Sequence, residues 1–167
     1  MARLAVMAVL AFLFGLHRDA AAQRLGSEVP AETVAITVTA RIGGKSLQGS
    51  GAGSCRHEAD ASIHDVSAAL WMVQYAGQSG GIKQLNLTLW RPKDESPDQL
   101  SLSLETASGS HRIETGGKEG NNGEGSVTIL PNGPGGRLEI SGKEAGGKSV
   151  QIAIDCPAFE GIEAEGG

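Results

Sequence analysis

The stretch SCRHEADASIHD, residues 54–65, holds the densest set of side chains that could do chemistry. It combines Cys55, His57 and His64 with three acidic residues. Thiolate, imidazole and carboxylate groups are the usual ligands of zinc, and they also serve as acids and bases in hydrolases. The stretch therefore raises the hypothesis of a hydrolase or metal-binding protein that uses the His57 and His64 acidic segment.

The spacing of the histidines argues against that hypothesis. His57 and His64 are seven positions apart, whereas the helical H-E-x-x-H motif needs histidines four apart to share one face. A disulfide at Cys55 would also remove the softest ligand. We therefore interpret the stretch as a solvated polar loop, and we expect no catalytic residue, no metal and no cofactor.

Eight segments that alternate apolar and polar residues are predicted to form strands. They are VAITVTARI, ALWMVQYA, KQLNLTLW, QLSLSLET, SHRIET, SVTIL, RLEIS and SVQIAID. Glycine clusters between them predict turns, and only residues 59–69 leave room for a helical turn. The GSGAGS run at residues 49–54 precedes no helix pattern, so it is not interpreted as a phosphate loop. We predict an all-β fold, an antiparallel sandwich or partly open barrel of about eight or nine strands.

The first residues have the layout of a secretory signal peptide. A short basic start precedes an apolar run of 13 residues, 4–16, and small residues follow. A run of this length is too short to span a membrane. We predict a signal peptide over 1–22, a mature start near Gln23, a flexible segment over 23–32, one β domain over 33–159 and a disordered tail over 160–167. The expected location is secreted or periplasmic, with no stable membrane span after cleavage.

The charge of the chain bears on its partners. The formal net charge is −5, and an acidic domain repels the phosphate backbone of nucleic acids. Nucleic acid is therefore excluded as an expected partner. An unidentified protein or a glycan remains.

The cysteines favour one disulfide. Cys55 and Cys156 are the only two in the chain, and two cysteines in an exported protein generally pair. Each lies at the end of a strand pattern. We predict that they are bonded to each other, the alternative being two separate buried thiols.

The aromatic residues offer one candidate binding surface. Trp71 and Tyr75 are an even number of positions apart, so in a strand they share a face with Val73. In a domain with so few aromatic residues this face is expected to be the core. The alternative is an exposed platform of Trp71 and Tyr75 for a sugar or a partner protein.

Two segments resemble a known family. GSGAGSC leads into the first cysteine, and GGRLEISGKEAGGKSVQIAIDC ends at the second. Together they are similar to the mycobacterial surface lipoprotein antigen family, over about residues 33–156, and to small uncharacterised exported bacterial proteins. The resemblance implies a compact β domain outside the cytoplasm with a Cys55–Cys156 disulfide and no catalytic residues. The chain differs from that family because no cysteine follows the apolar run.

The sequence thus predicts an exported non-catalytic β domain that acts by binding or structural interaction, at the cell surface or in the periplasm.

Overall fold

A computed structural model describes residues 33–63, 66–116 and 121–162. These residues form nine antiparallel strands in one curled half-barrel sheet, which confirms the predicted all-β fold and strand number. The strands are β1 (Val34–Ile42), β2 (Lys45–Ile63), β3 (Val66–Gly80), β4 (Ile82–Pro92), β5 (Gln99–Thr106), β6 (Gly109–Thr115), β7 (Glu124–Asn132), β8 (Gly135–Lys143) and β9 (Ser149–Cys156). Their order across the sheet is β6-β5-β4-β3-β2-β1-β9-β8-β7.

Alternation of apolar and polar residues places the core on the inner face of the curl. In β5, Leu100, Leu102 and Leu104 are buried while the residues between them are exposed. Leu102 pairs across the sheet with Leu87 of β4 and Ile113 of β6, so apolar side chains continue from strand to strand. Burial of this continuous face is the main stabilising contribution to the fold.

The segment predicted as a polar loop is a strand. Residues 54–63 belong to β2 and pair with β3, whose partners include Val66–Leu70. The prediction of a loop was therefore wrong for residues 54–63, and the described residues within 59–69 form strands where the sequence left room for a helical turn. The part of β2 that leads into this segment has no apolar alternation to reveal a strand, because its inner-face positions 49, 51 and 53 are glycines.

The glycine run of β2 leaves room for core side chains of the neighbouring strands. Gly49 and Gly53 lie opposite Val38 and Val34 of β1. A Cβ atom at Gly49 would lie 2.5 Å from the Tyr75 hydroxyl oxygen, and one at Gly53 would lie 2.7 Å from Cδ1 of Ile36. Larger neighbouring side chains therefore occupy the space that side chains on β2 would need.

Tyr75 belongs to the core. Only 2% of its surface is exposed, and its hydroxyl has no hydrogen-bond partner among the protein atoms of the described residues. Burial raises the pKa of the phenol above its ordinary value of 10.0. Tyr75 thus lies in the core, as expected for this face, and it cannot form part of the alternative, an exposed binding platform.

A Tyr75→Phe variant is expected to be more stable than the native protein by about 1 kcal/mol, because a buried unpaired hydroxyl is costly. Urea unfolding measures the difference, and a loss of stability would show that the hydroxyl has a partner. Tyr75 is the single tyrosine of the chain, so ultraviolet titration reports it alone. Because burial raises the folded pKa of Tyr75 above its unfolded value, the unfolded chain loses this proton first. The stability of the protein should therefore be unaffected by Tyr75 below about pH 10 and should fall as pH rises through the folded pKa.

The disulfide closes the sheet where β1 begins. β1 starts at Val34, opposite Gly53, so Cys55 and the residues after it lie beyond that strand. Cys55 and Cys156 are bonded, with their Cα atoms 6.0 Å apart, as predicted. Glu160 then pairs with β2, accepting from the His57 amide at 2.8 Å and donating to the Cys55 carbonyl at 2.9 Å. Glu160 is therefore an ordered residue, although the prediction placed it in the disordered tail.

Polar contacts join the two ends of the curl. Glu114 and Asn122 exchange backbone hydrogen bonds of 3.0 and 2.8 Å. Nδ1 of His111 donates to the Glu144 carboxylate at 2.8 Å, and Arg91 donates to the Val127 carbonyl at 3.0 Å. These contacts hold β7 and the β8–β9 turn against β4 and β6.

The predicted signal peptide and the segment over 23–32 lie outside the described residues, as do 163–167 at the end of the predicted tail. In the part of the chain that is described, no helix has the length and hydrophobicity needed to cross a membrane.

Candidate functional site

His57 belongs to an aromatic cluster at one end of the half-barrel. Its ring is stacked on Trp71, with centroids 4.4 Å apart and planes 9° apart. The edge of the cluster is formed by Phe159, whose ring centroid lies 6.1 Å from that of His57. Nδ1 of His57 donates to the carbonyl of Leu70 at 3.0 Å. These contacts fix the ring of His57 within the packing of the domain.

The other chemical groups of the stretch are dispersed. Cys55 is in the disulfide, and Asp60 forms an ion pair with Lys93 on the surface. The hydrogen bond from Lys93 and its positive charge lower the pKa of the Asp60 carboxyl. His64 and Asp65 lie outside the described residues. Within the described ranges, no three His, Cys, Asp or Glu side chains are arranged to hold a metal ion.

Trp71 is half-buried, and its ring contacts two neighbours. His57 stacks on it from β2, and the guanidinium carbon of Arg91, from β4, lies 5.5 Å from the ring centroid. Arg91 is held in place by Asp98, whose carboxylate accepts hydrogen bonds from Nε of Arg91 at 3.0 Å and from Nη2 at 2.8 Å. Trp71 is therefore an element of the packed end of the domain, and the structure does not bring it together with Tyr75 on an exposed surface.

The outer face of the sheet carries a groove of about 490 Å³ across β2, β1, β9 and β8. Its middle row runs from Gln48 through Thr39 and Ala153 to Glu139, which are successive register partners. Thr39 and Ala153 are short and half-buried, whereas Gln48 and Glu139 are long and exposed. The short residues make the floor and the long ones make the two ends, about 14 Å apart at the usual strand spacing.

A second row forms one long wall of the groove. Arg41 of β1 and Gln151 of β9 are register partners and stand side by side, both exposed. Ser46 and Ser141 flank them on β2 and β8. The groove thus presents amide, guanidinium, hydroxyl and carboxylate groups around a small uncharged floor.

The polar side chains in and beside the groove differ in how many hydrogen bonds they make within the protein. Arg137 donates to Asp155 at 2.8 and 2.9 Å and to Glu139 at 3.1 Å. These two carboxylates raise the pKa of Arg137. In contrast, the side chains of Arg41, Gln48 and Gln151 form no ion pair or hydrogen bond with another residue of the described ranges. They remain available to a ligand.

Sequence reasoning missed this groove. Its lining consists of Ser, Thr, Gln and Ala, which are ordinary residues for the solvent face of any strand. Residues 39–48 and 139–153 are also far apart in the chain, and only the placement of β9 beside β1 brings them together.

Comparison with family models, with curated proteins and with solved structures finds no significant match for this chain. The resemblance to the mycobacterial surface lipoprotein antigen family therefore stays a prediction.

Proposed function

We propose that this protein is an exported, non-catalytic binding domain that acts at the cell surface or in the periplasm and holds a glycan in the outer-face groove. The observation that carries the proposal is the set of unengaged planar side chains, Arg41, Gln48 and Gln151, around the short floor of Thr39 and Ala153.

The chemistry of the lining favours a sugar over a peptide. Each planar side chain offers two hydrogen-bonding atoms, which suit the neighbouring hydroxyls of a sugar ring. The apolar residues along the groove, such as Ile140 and Ile152, are buried on the other face of the sheet, so they offer no pocket for an apolar anchor. The groove also lies on the face of the sheet rather than at an edge, so a peptide cannot be added there as a strand.

Export is supported by two independent features. The first 22 residues have the pattern of a signal peptide, and the domain contains a buried disulfide, which persists in oxidising compartments. The intact mass of the exported protein checks this part of the proposal, because it should correspond to a chain that begins near Gln23.

The binding proposal is tested by nuclear magnetic resonance titration of the isotope-labelled mature protein with three soluble probes: chito-oligosaccharide, xylo-oligosaccharide and oligogalacturonate. We expect at least one probe to shift amide signals of β1, β2, β8 and β9 around the groove. The Gln151→Ala variant should weaken that binding by about fivefold to tenfold, the effect of losing one or two hydrogen bonds.

The matched control is Gln84→Ala, which removes an exposed glutamine from β4, outside the groove. This variant should bind the probe as the native protein does. Shifts confined to another surface, or no shift with any probe, would contradict the proposal.

A further inference from the structure

The wall of the groove carries a positive charge that opposes the overall charge of the protein. The chain as a whole is acidic, with a formal net charge of −5. Yet Arg41 stands exposed in the wall of the groove. Two lysines are close along the chain but do not line the groove: Lys148, in the β8–β9 turn, is paired with Glu144, and Lys45 is the register partner of the inner-face residue Ile42.

Backbone pairing holds the two turns together. The amide of Gly43 in the β1–β2 turn donates to the carbonyl of Ser149 at 2.9 Å. The side chain of Lys148 lies over this junction, because a Cβ atom at Gly43 would be 3.4 Å from its Cγ. The end of β1 that carries Arg41 is thus held against the start of β9.

The acidic groups near this side are already paired. Glu144 lies 3.7 Å from Lys148 and accepts a hydrogen bond from His111. Glu139, at the far end of the groove, is bonded to Arg137. Neither Arg41 nor Lys45 has an ion-pair partner within the residues described. The wall therefore offers an unneutralised guanidinium at one side of an otherwise hydrogen-bonding groove.

We infer that the ligand of this groove is an acidic glycan, with a sugar carboxylate bound by Arg41 and the ring hydroxyls bound by Gln48 and Gln151. This inference rests on the proposed function and adds the charge of the ligand. Guanidinium binds carboxylate through two parallel hydrogen bonds, which fixes both position and orientation. This attraction should fall with increasing salt, since Arg41 is exposed.

The test compares oligogalacturonate with the same oligomer in fully methyl-esterified form, which keeps the sugar chain and removes its charge. Isothermal titration of the mature protein should give an affinity about tenfold higher for the free acid, the effect of one charge-assisted pair. The Arg41→Gln variant should lose this preference and bind both probes about equally.

The matched control is Arg112→Gln, an exposed arginine on β6 outside the groove. It should retain the preference of the native protein, and circular dichroism should show all variants folded.

Equal binding of both probes to the native groove would overturn the acidic ligand and leave the binding function standing. Binding of neither probe, together with no groove response to any neutral oligosaccharide, would overturn both. A preference that survives in Arg41→Gln would also contradict the inference, because another site would then bind the carboxylate.

Discussion

A Cys55→Ala, Cys156→Ala double variant is expected to unfold with a free energy about 2–5 kcal/mol lower than that of the native protein. The two cysteines are 101 positions apart, and a cross-link that closes a loop of this length restricts the unfolded chain strongly. The chain-entropy treatment gives about 4.7 kcal/mol for a loop of 100 residues. Since small domains are stable by only about 5–15 kcal/mol, the variant should be close to its folding limit.

The disulfide also stabilises one particular end of the folded domain. Both cysteines are buried, at 1% and 5% exposure, in the core cluster. The bond joins β2 to β9 beyond the start of β1, where Glu160 also pairs with β2. Without the bond, the segment after β9 is attached to β2 only by backbone hydrogen bonds and the packing of Phe159. We therefore expect this end of the half-barrel to open first.

Urea unfolding, followed by tryptophan fluorescence, measures the loss for the double variant. Alanine is preferred to serine because a serine hydroxyl at Cys55 would be buried, and its own cost would be added to that of the lost bond. Native protein unfolded in the presence of a reductant is the control and should reach the same reduced stability. A loss below about 1 kcal/mol in both experiments would contradict the prediction.

The predicted strands were found wherever the alternation was strict. β1 and β5 have apolar residues at every second position, and they match the predicted segments VAITVTARI and QLSLSLET from end to end. The disulfide followed from the number of cysteines and the expected compartment. The strands follow from neighbouring residues in the sequence, and the disulfide follows from a count of cysteines.

The error at β2 has a physical reason. The inner positions at Gly49, Gly51 and Gly53 carry no side chain, so a search for apolar residues at every second position finds none. Glycine at every second position is itself a pattern of period two, and it would have indicated a strand against which neighbouring side chains pack closely. The stretch with the most chemical groups, residues 54–63, continues that strand. Because the strand was not recognised at its glycines, this continuation was misinterpreted as a loop.

The groove could not be predicted in the same way. It depends on which strands are neighbours, and the sequence alone does not fix the pairing of β1 with β9. Its residues are typical of the solvent-exposed face of a strand. What makes them a groove is that short side chains lie in the middle and long ones at the ends, and this arrangement exists only when the four strands are side by side. The aromatic pair that drew attention in the sequence instead divides between the core, at Tyr75, and the packed end, at Trp71.

Gly53→Ala is expected to destabilise the protein by about 3 kcal/mol or more, because one methyl group would have no space. Its Cβ atom would overlap the carbonyl oxygen of Gln74 and would lie 2.7 Å from Cδ1 of Ile36. The first neighbour is backbone within the β2–β3 pairing and cannot move without breaking register. Overpacking a tight core usually costs about 1–3 kcal/mol, and a backbone clash places this site at or above the upper end.

The matched control is Gly146→Ala in the β8–β9 turn, where a Cβ atom would have no neighbour within 4 Å and the backbone is outside the left-handed region. This variant should change stability by less than about 0.5 kcal/mol. A second substitution, Ile36→Val, removes Cδ1 and should recover part of the Gly53→Ala loss, so that the two changes are not additive. Urea unfolding of the native protein, the three single variants and the Gly53→Ala, Ile36→Val double variant measures both effects. Equal stability of Gly53→Ala and Gly146→Ala would show that β2 does not need glycine for close packing, and the account of its glycine run would then be wrong.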